Sequence, residues 1–160
     1  VPTIAMVLFG LEAEEDRINR TVELVSRPAA FENILWISSR VNPNREQLWD
    51  MLKDSANKNG YWDGEGDGAG FDIGLVRPQV IDGVGIHFYM GSARKARFAI
   101  EVSDGGSWKQ VFSGSSSGKV DGMEYFRFPA EKVSRIRFVG HGNSINQWNS
   151  IITFKLLEKK

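Results

Sequence analysis

Cysteine is missing from this 160-residue chain, and with it disulfides, thiol nucleophiles and zinc–thiolate sites. Net charge is missing too. Lys plus Arg and Asp plus Glu stand at 20 each, so no global field draws nucleic acid or a membrane surface, although a local basic patch stays open. No apolar run approaches a membrane span: "IAMVLFGL" (4–11) is too short and lacks the basic flank of a signal peptide. Any export signal is therefore expected outside this chain. Histidine is nearly missing, with 2 residues, which leaves little material for acid–base catalysis. What is abundant is glycine (17), phenylalanine (10) and tryptophan (5), the composition of a turn-rich β protein packed with aromatics.

The length fits one domain, or one domain and an appendage. Residues 1–33 read as an N-terminal extension: a strand-like "TIAMVLFG", then "LEAEEDRINRTVELV", which sets Leu11, Ile18, Val22 and Val25 on one helical face before Pro28 ends it. From Ile34 to Lys160 the pattern is strands and turns. "ILWISS" opens it, "QLWDMLKD" is a short helical or irregular piece, and "SANKNGYWDGEGDGAG" is a glycine-rich loop. "VIDGVGIHFYMG" alternates, with Val84, Ile86, Phe88 and Met90 on one face and Gly85, His87 and Tyr89 on the other. "ARFAIEVS" puts Phe98, Ile100 and Val102 inward and Arg97, Ala99 and Glu101 outward. "KQVFSG", "MEYFRFPA", "SRIRFVG" and "SIITFKLL" follow as strands, and turns recur roughly every 8–12 residues. The expected fold is all-β, an antiparallel sandwich or barrel.

Most motifs that hint at chemistry dissolve on inspection. "GSSSG" (114–118) has the G-x-S-x-G form, but a nucleophile elbow needs a helix behind the serine, and "KVDGMEYFRF" follows, so it reads as a hairpin loop. "DGEGDG" (63–68) begins like an EF-hand, yet Gly74 stands where the bidentate glutamate belongs, so it reads as a solvated turn. No helix follows "GEGDGAG" to make it a phosphate loop. "GSARKARF" gathers Arg94, Lys95 and Arg97, read either as a solvated turn or as a cationic clasp for carboxylates. No basic stripe interleaved with aromatics extends from it, which argues against nucleic acid. In "FVGHGNSINQWNSIITF" (138–154), His141, Asn143, Asn146 and Trp148 crowd a glycine-bounded loop between apolar runs. A lone histidine without base, nucleophile or metal makes a poor catalyst. Asn149 and Ser150 read as turn locks, and Trp148 either packs or offers a flat face to a ligand.

Taken in order, "YWDGEGDGAGFDIG", "GIHFYMGSARKARFAIEVSDGGSW", "VFSGSSSG" and "RIRFVGHGNSINQWNSI" resemble the discoidin-like (coagulation factor type C) domain. The likeness is to its family-thirty-two carbohydrate-binding branch, of the kind attached to alginate and other polysaccharide lyases, over about 34–160. That resemblance implies a jelly-roll-like sandwich of roughly eight antiparallel strands whose loops at one end bind sugar. It implies ligand contacts by Arg94 from the Gly-x-x-Arg turn, by Asn143 to Trp148 from the last loop, and by Trp49 or Trp62 from earlier loops. It also implies a structural calcium, held by an aspartate-bearing loop and a late glutamate. Here that set becomes Asp54, Asn57 and Thr153, with Thr153 in the glutamate's place, which weakens the site by a charge.

The expected function is that of a secreted, monomeric, non-catalytic module. It would bind an acidic polysaccharide, alginate first, through Arg94, Lys95, Arg97, His141, Asn143, Asn146, Trp148, Trp49 and Trp62, and carry an attached polysaccharide lyase to it. Neither nucleic acid nor membrane is expected as a partner. The alternative is a structural or protein-interaction sandwich supporting a neighbouring catalytic domain.

Overall fold

The computed structural model describes Arg17, Arg20, Val22 and residues 24–53 and 60–160. The described residues before Ser26 are helical. Then come β1 (Ser26–Pro28), a 3-10 turn (Phe31–Asn33), β2 (Ile34–Ser38), α1 (Arg45–Leu52), β3 (Trp62–Glu65), β4 (Gly70–Phe88), β5 (Ala96–Ser103), β6 (Lys109–Ser115), β7 (Met123–Asn143) and β8 (Trp148–Lys159). Every strand pair is antiparallel, in the order β1-β8-β4-β7-β5-β6, with β2 added to β4 and β3 to β8. The all-β sandwich expected from the alternation is the fold observed.

Two long strands make the sandwich. The β4–β7 ladder breaks between Gly74 and Gln79, where Pro78 has no N–H to give. Asn33 fills the gap, its Oδ1 accepting from Arg77 N at 2.9 Å and its Nδ2 donating to Arg77 O at 3.1 Å. Before the break β4 and β7 join β2, β5 and β6; after it they join β8 and β1. The residues between the layers are phenylalanines. Phe138 of β7 lies 5.4 Å from Phe98 and 6.3 Å from Phe154 of β8, and Phe98 meets Phe126 edge-on at 4.9 Å. Offset and edge-to-face rings at these distances add attraction beyond the area they bury.

The alternation holds through Val84, Ile86 and Phe88, all buried. It fails at Met90. The strand ends at Phe88, and Met90 turns outward at φ 55, opening a turn closed by Ala93 N–H to Met90 O at 3.0 Å. A non-glycine residue in the left-handed region marks local strain at this turn. The short piece "QLWDMLKD" forms α1, capped by the Asn44 side chain accepting from Gln47 N, with Leu48, Met51 and Leu52 on its buried side.

Ser26–Pro28, within the stretch read as an extension, forms an edge strand on β8. Ser26 Oγ donates to Asp82 at 2.7 Å, and Arg27 binds Glu158 at 3.2 Å. The Arg27 hydrogen bond holds the Glu158 carboxyl below the usual glutamate range, against the opposing effect of desolvation. A depressed carboxyl adds stability above its unfolded pKa and loses it as pH falls through the folded one. Arg27→Ala is therefore expected to lower stability at neutral pH, with a deficit that fades on acidification, followed by urea unfolding across pH. Trp62→Ala, which empties a fully buried site, is expected to cost about 3–5 kcal/mol in the same assay at neutral pH.

Candidate functional site

At one end of the sandwich β3 lies beside the start of β8, pairing Asp63 with Ser150 and Glu65 with Trp148. The two-residue period sends Trp62 and Gly64 inward and leaves Tyr61, Asp63, Glu65 and Trp148 on the outer side. Tyr89 joins this side because its N–H donates to Ser150 O at 3.1 Å. Its ring stacks on Tyr61 with centroids 3.9 Å apart and planes 13° from parallel. The Arg94 guanidinium carbon sits 5.7 Å from the Tyr89 centroid, within cation–π range. Desolvation, then a hydrogen bond with Tyr89, pushes the Tyr61 phenol up, while the Arg94 charge acts in the opposite direction. The Tyr61 phenol therefore stays protonated, and can donate as well as accept. Trp148, 39% exposed, lies two residues along β8 from Ser150, about 7 Å away at strand rise.

Two asparagines hold the loops in place. Asn149 Oδ1 accepts from Gly142 N at 2.8 Å, and its Nδ2 donates to Gly64 O and Gly66 O at 3.0 Å each. Asn143 Oδ1 accepts from Ile145 N and Asn146 N, while its Nδ2 donates to Asn146 Oδ1 and Trp148 O. The loop is then tied to the arginine turn: Lys95 N donates to Ser144 Oγ, and Ser144 N to Lys95 O, both at 2.9 Å. These bonds put Arg94 and Trp148 at the same end of the molecule.

The other expected residues scatter. Lys95 is exposed beside Arg94, and Asn146 is exposed beside Trp148. Asn143 is 3% exposed, with both ends of its amide engaged inside the loop, so it builds the site without touching a ligand. Trp62 is sealed in the core, donating its Nε1–H to Asn42 O at 3.0 Å, and has no face to offer. Trp49, on α1, meets Phe31 edge-on at 5.8 Å and lines a groove with Leu35, Trp36 and Pro43 that contains none of Tyr61, Tyr89 or Arg94. Arg97 and His141 sit on outward positions of β5 and β7. There Arg97 donates to Asn143 O at 3.0 Å, and the His141 ring lies 2.5 Å from Asp67. The cationic clasp read from Arg94, Lys95 and Arg97 is split, because neighbours on a strand alternate.

Asp54 and Asn57 lie outside the described residues. Thr153 is buried on β8 opposite His87. Among the described residues no three His, Asp or Glu gather as a metal site. Thr153 offers a neutral hydroxyl where the resemblance places a charged glutamate. Tyr61, Tyr89 and Asp63 were missed. Tyr89 was visible as an outward residue just before the arginine turn, but nothing in the spacing brings Tyr61 to it.

No protein-family profile matches this sequence, and no curated protein matches it. Solved structures do. A truncated AlyQ with CBM32 and alginate lyase domains aligns at TM-score 0.70 and 27% identity, covering 79% of this chain and 32% of that one. This chain thus spans about a third of that two-domain protein. The CBM32 of AlyQ, in complex with 4,5-unsaturated mannuronic acid, aligns at 0.68 and 28%, covering 78% of this chain and 95% of that one. A pectin-binding carbohydrate-binding module aligns at 0.67, with 17% identity over 77% of this chain and 89% of that one, a likeness of fold alone. This chain has the discoidin-like fold of these CBM32 modules, as its motifs suggested. Asn149→Ala, which strands two buried backbone groups and a third that is partly buried, is expected to cost about 1–3 kcal/mol in thermal or urea unfolding.

Proposed function

We propose that this chain is a non-catalytic module that binds an acidic polysaccharide, alginate first, and brings an attached polysaccharide lyase to it. The observation that carries the reading is the outward stack of Tyr61, Tyr89 and Arg94 at the end of the sandwich that also bears the half-exposed Trp148. An indole face suits the C–H side of a pyranose ring. A guanidinium resting on a phenol keeps its fork free for a carboxylate, which it meets with two parallel hydrogen bonds. Lys95 adds charge at the rim, and Asn146 adds an amide. The AlyQ module's complex with an unsaturated mannuronic acid supports a uronate as the ligand.

The histidines support binding over cleavage. Among the described residues the hydrogen bonds of both rings run to exposed carboxylates, His87 to Asp121 and His141 to Asp67. Among the described residues no helix is long and apolar enough to cross a membrane. A monomer exported with its catalytic partner fits this reading. The structural, protein-interaction reading draws on the exposed Leu35, Val76 and Val80.

Affinity is expected to be modest, since a shallow site recovers little beyond the ordering cost of a flexible sugar. By calorimetry with alginate oligosaccharides, binding should weaken as salt rises. Arg94→Ala should lower it about tenfold, the worth of one charge-assisted contact. Unchanged affinity in both experiments overturns the uronate reading. A glycan screen without hits favours the structural one, and new unsaturated ends after incubation with alginate would show catalysis instead.

A further inference from the structure

The outer face of the sheet made by β2, β4, β7 and β5 carries side chains that the tip does not use. Antiparallel register fixes what stands beside what. One row across the four strands is Trp36, Gly74, Arg135 and Ser103; the next is Ser38, Asp72, Arg137 and Glu101. Paired residues share a face, so these two rows form one continuous surface. Trp36 lies flat on it: a Cβ at Gly74 would stand 2.2 Å from the indole Cε2 and Nε1. Only a glycine lets the ring settle onto the strand, and Trp36 stays 37% exposed. At the far side of the rows Trp108 is covered by two guanidiniums, Arg137 at 4.0 Å and Arg135 at 4.8 Å from its centroid.

From Trp36 a trough runs toward Arg137. One part, of about 380 Å³, is lined by Ser38, Arg40, Asp72, Glu101 and Arg137. It shares Ser38 and Ser39 with the 330 Å³ groove beneath Trp36 and Trp49. The charges do not cancel. Arg137 is held by Asp72 at 2.8 and 3.0 Å and reaches Glu101 at 3.5 Å. Among the described residues Arg135 hydrogen-bonds only neutral oxygens, Ser103 Oγ at 3.0 Å and Gly106 O at 3.1 Å. Arg40 makes no ion pair among the described residues. In a chain of zero net charge, this face sets Arg40, Arg97, Arg135 and Arg137 against Asp72 and Glu101, with Asp67 already held by His141.

We infer that this sheet face is a second binding surface, which takes a length of acidic polysaccharide laid across the strands. Sugar rings would stack on Trp36, and carboxylates would meet Arg135 and Arg40, which form no ion pair with an acid among the described residues. A peptide added as a strand would lie along the edge of β2, which pairs only with β4 among the described residues, and would leave the rows of side chains uncovered. A neutral glycan would leave the excess charge unanswered. The class of ligand rests on the reading given for the tip, but the surface rests on residues that the tip does not share.

The five tryptophans report separately. With nitrogen-15 labelling, each indole N–H gives its own resonance, so a titration with alginate oligosaccharides reads both places at once. The Trp36 and Trp108 signals are expected to shift in the wild type and equally in Arg94→Ala. Trp36→Ala combined with Arg135→Ala should weaken binding of the polymer about tenfold, with Trp148 still shifting. Arg40→Ala alone, on an exposed side chain, should weaken it in the same direction. If Trp148 moves while Trp36 and Trp108 stay still, the second surface is overturned and the tip reading stands. If Trp36 and Trp108 move while Trp148 does not, the tip reading fails and the sheet surface stands. Still signals throughout overturn both. Equal shifts with an uncharged galactan overturn the acidic ligand.

Discussion

Asn149 uses its whole amide on other people's backbone. Its oxygen takes the N–H of Gly142, and its nitrogen takes the carbonyls of Gly64 and Gly66, so one buried side chain joins β8 to the end of β7 and to the turn after β3. The turn after β3 comes from a distant part of the chain, and the amide adds side-chain bonds to the ladder that already pairs Gly64 with Asn149. Gly140 must be glycine for the same reason, since a Cβ there would stand 2.2 Å from the Asn149 oxygen. An unsatisfied buried amide costs more than a satisfied one gains, so the arrangement holds only as a set. The outward positions of Tyr61, Glu65 and Trp148 follow from it, because strand register leaves them nowhere else to point.

The fold was legible because period-two patterning is local. Phe98, Ile100 and Val102 are inward as read, and so are Val84, Ile86 and Phe88. The site was half legible. Arg94 and Trp148 arrive at the same end through bonds between Lys95 and Ser144, which the motifs suggested but spacing alone does not contain. Arg97 was lost to the alternation that predicted its own strand: an outward residue on β5 belongs to the sheet face, not to the turn before it. Trp62 shows the reverse error. A tryptophan beside a glycine–acid turn looks exposed, but β3 adds to β8 with the indole directed inward, and its N–H is satisfied by Asn42. Tyr61 and Tyr89 meet across 28 residues of sequence, and no local pattern encodes a contact of that kind.

The two surfaces solve the problem of charge differently. At the tip, Arg94 is supported from one side by a phenol and is half-exposed. A cation there keeps most of its hydration until a ligand comes, and its interactions are open to salt. On the sheet, Arg137 is already clasped by two carboxylates and an indole, so its cost of ordering has been met in the fold. It holds Trp108 and Asp72 in place more than it invites a guest. Arg135, parallel to it and without an acid, is the group whose charge is left over.

Length of ligand then separates the two places. A single uronate suits a tip, where one guanidinium and one indole face meet one ring. A sheet face four strands wide spans roughly 14 Å between its outer strands and rewards a chain that crosses it. When two modest surfaces sit on one rigid scaffold, a polymer long enough to touch both makes its second contact at high effective concentration, whereas a short fragment gains nothing from the other surface. On the function proposed above, such a module would hold the uncut polymer and let go of the pieces, which is the discrimination a companion lyase would need from whatever tethers it to its substrate.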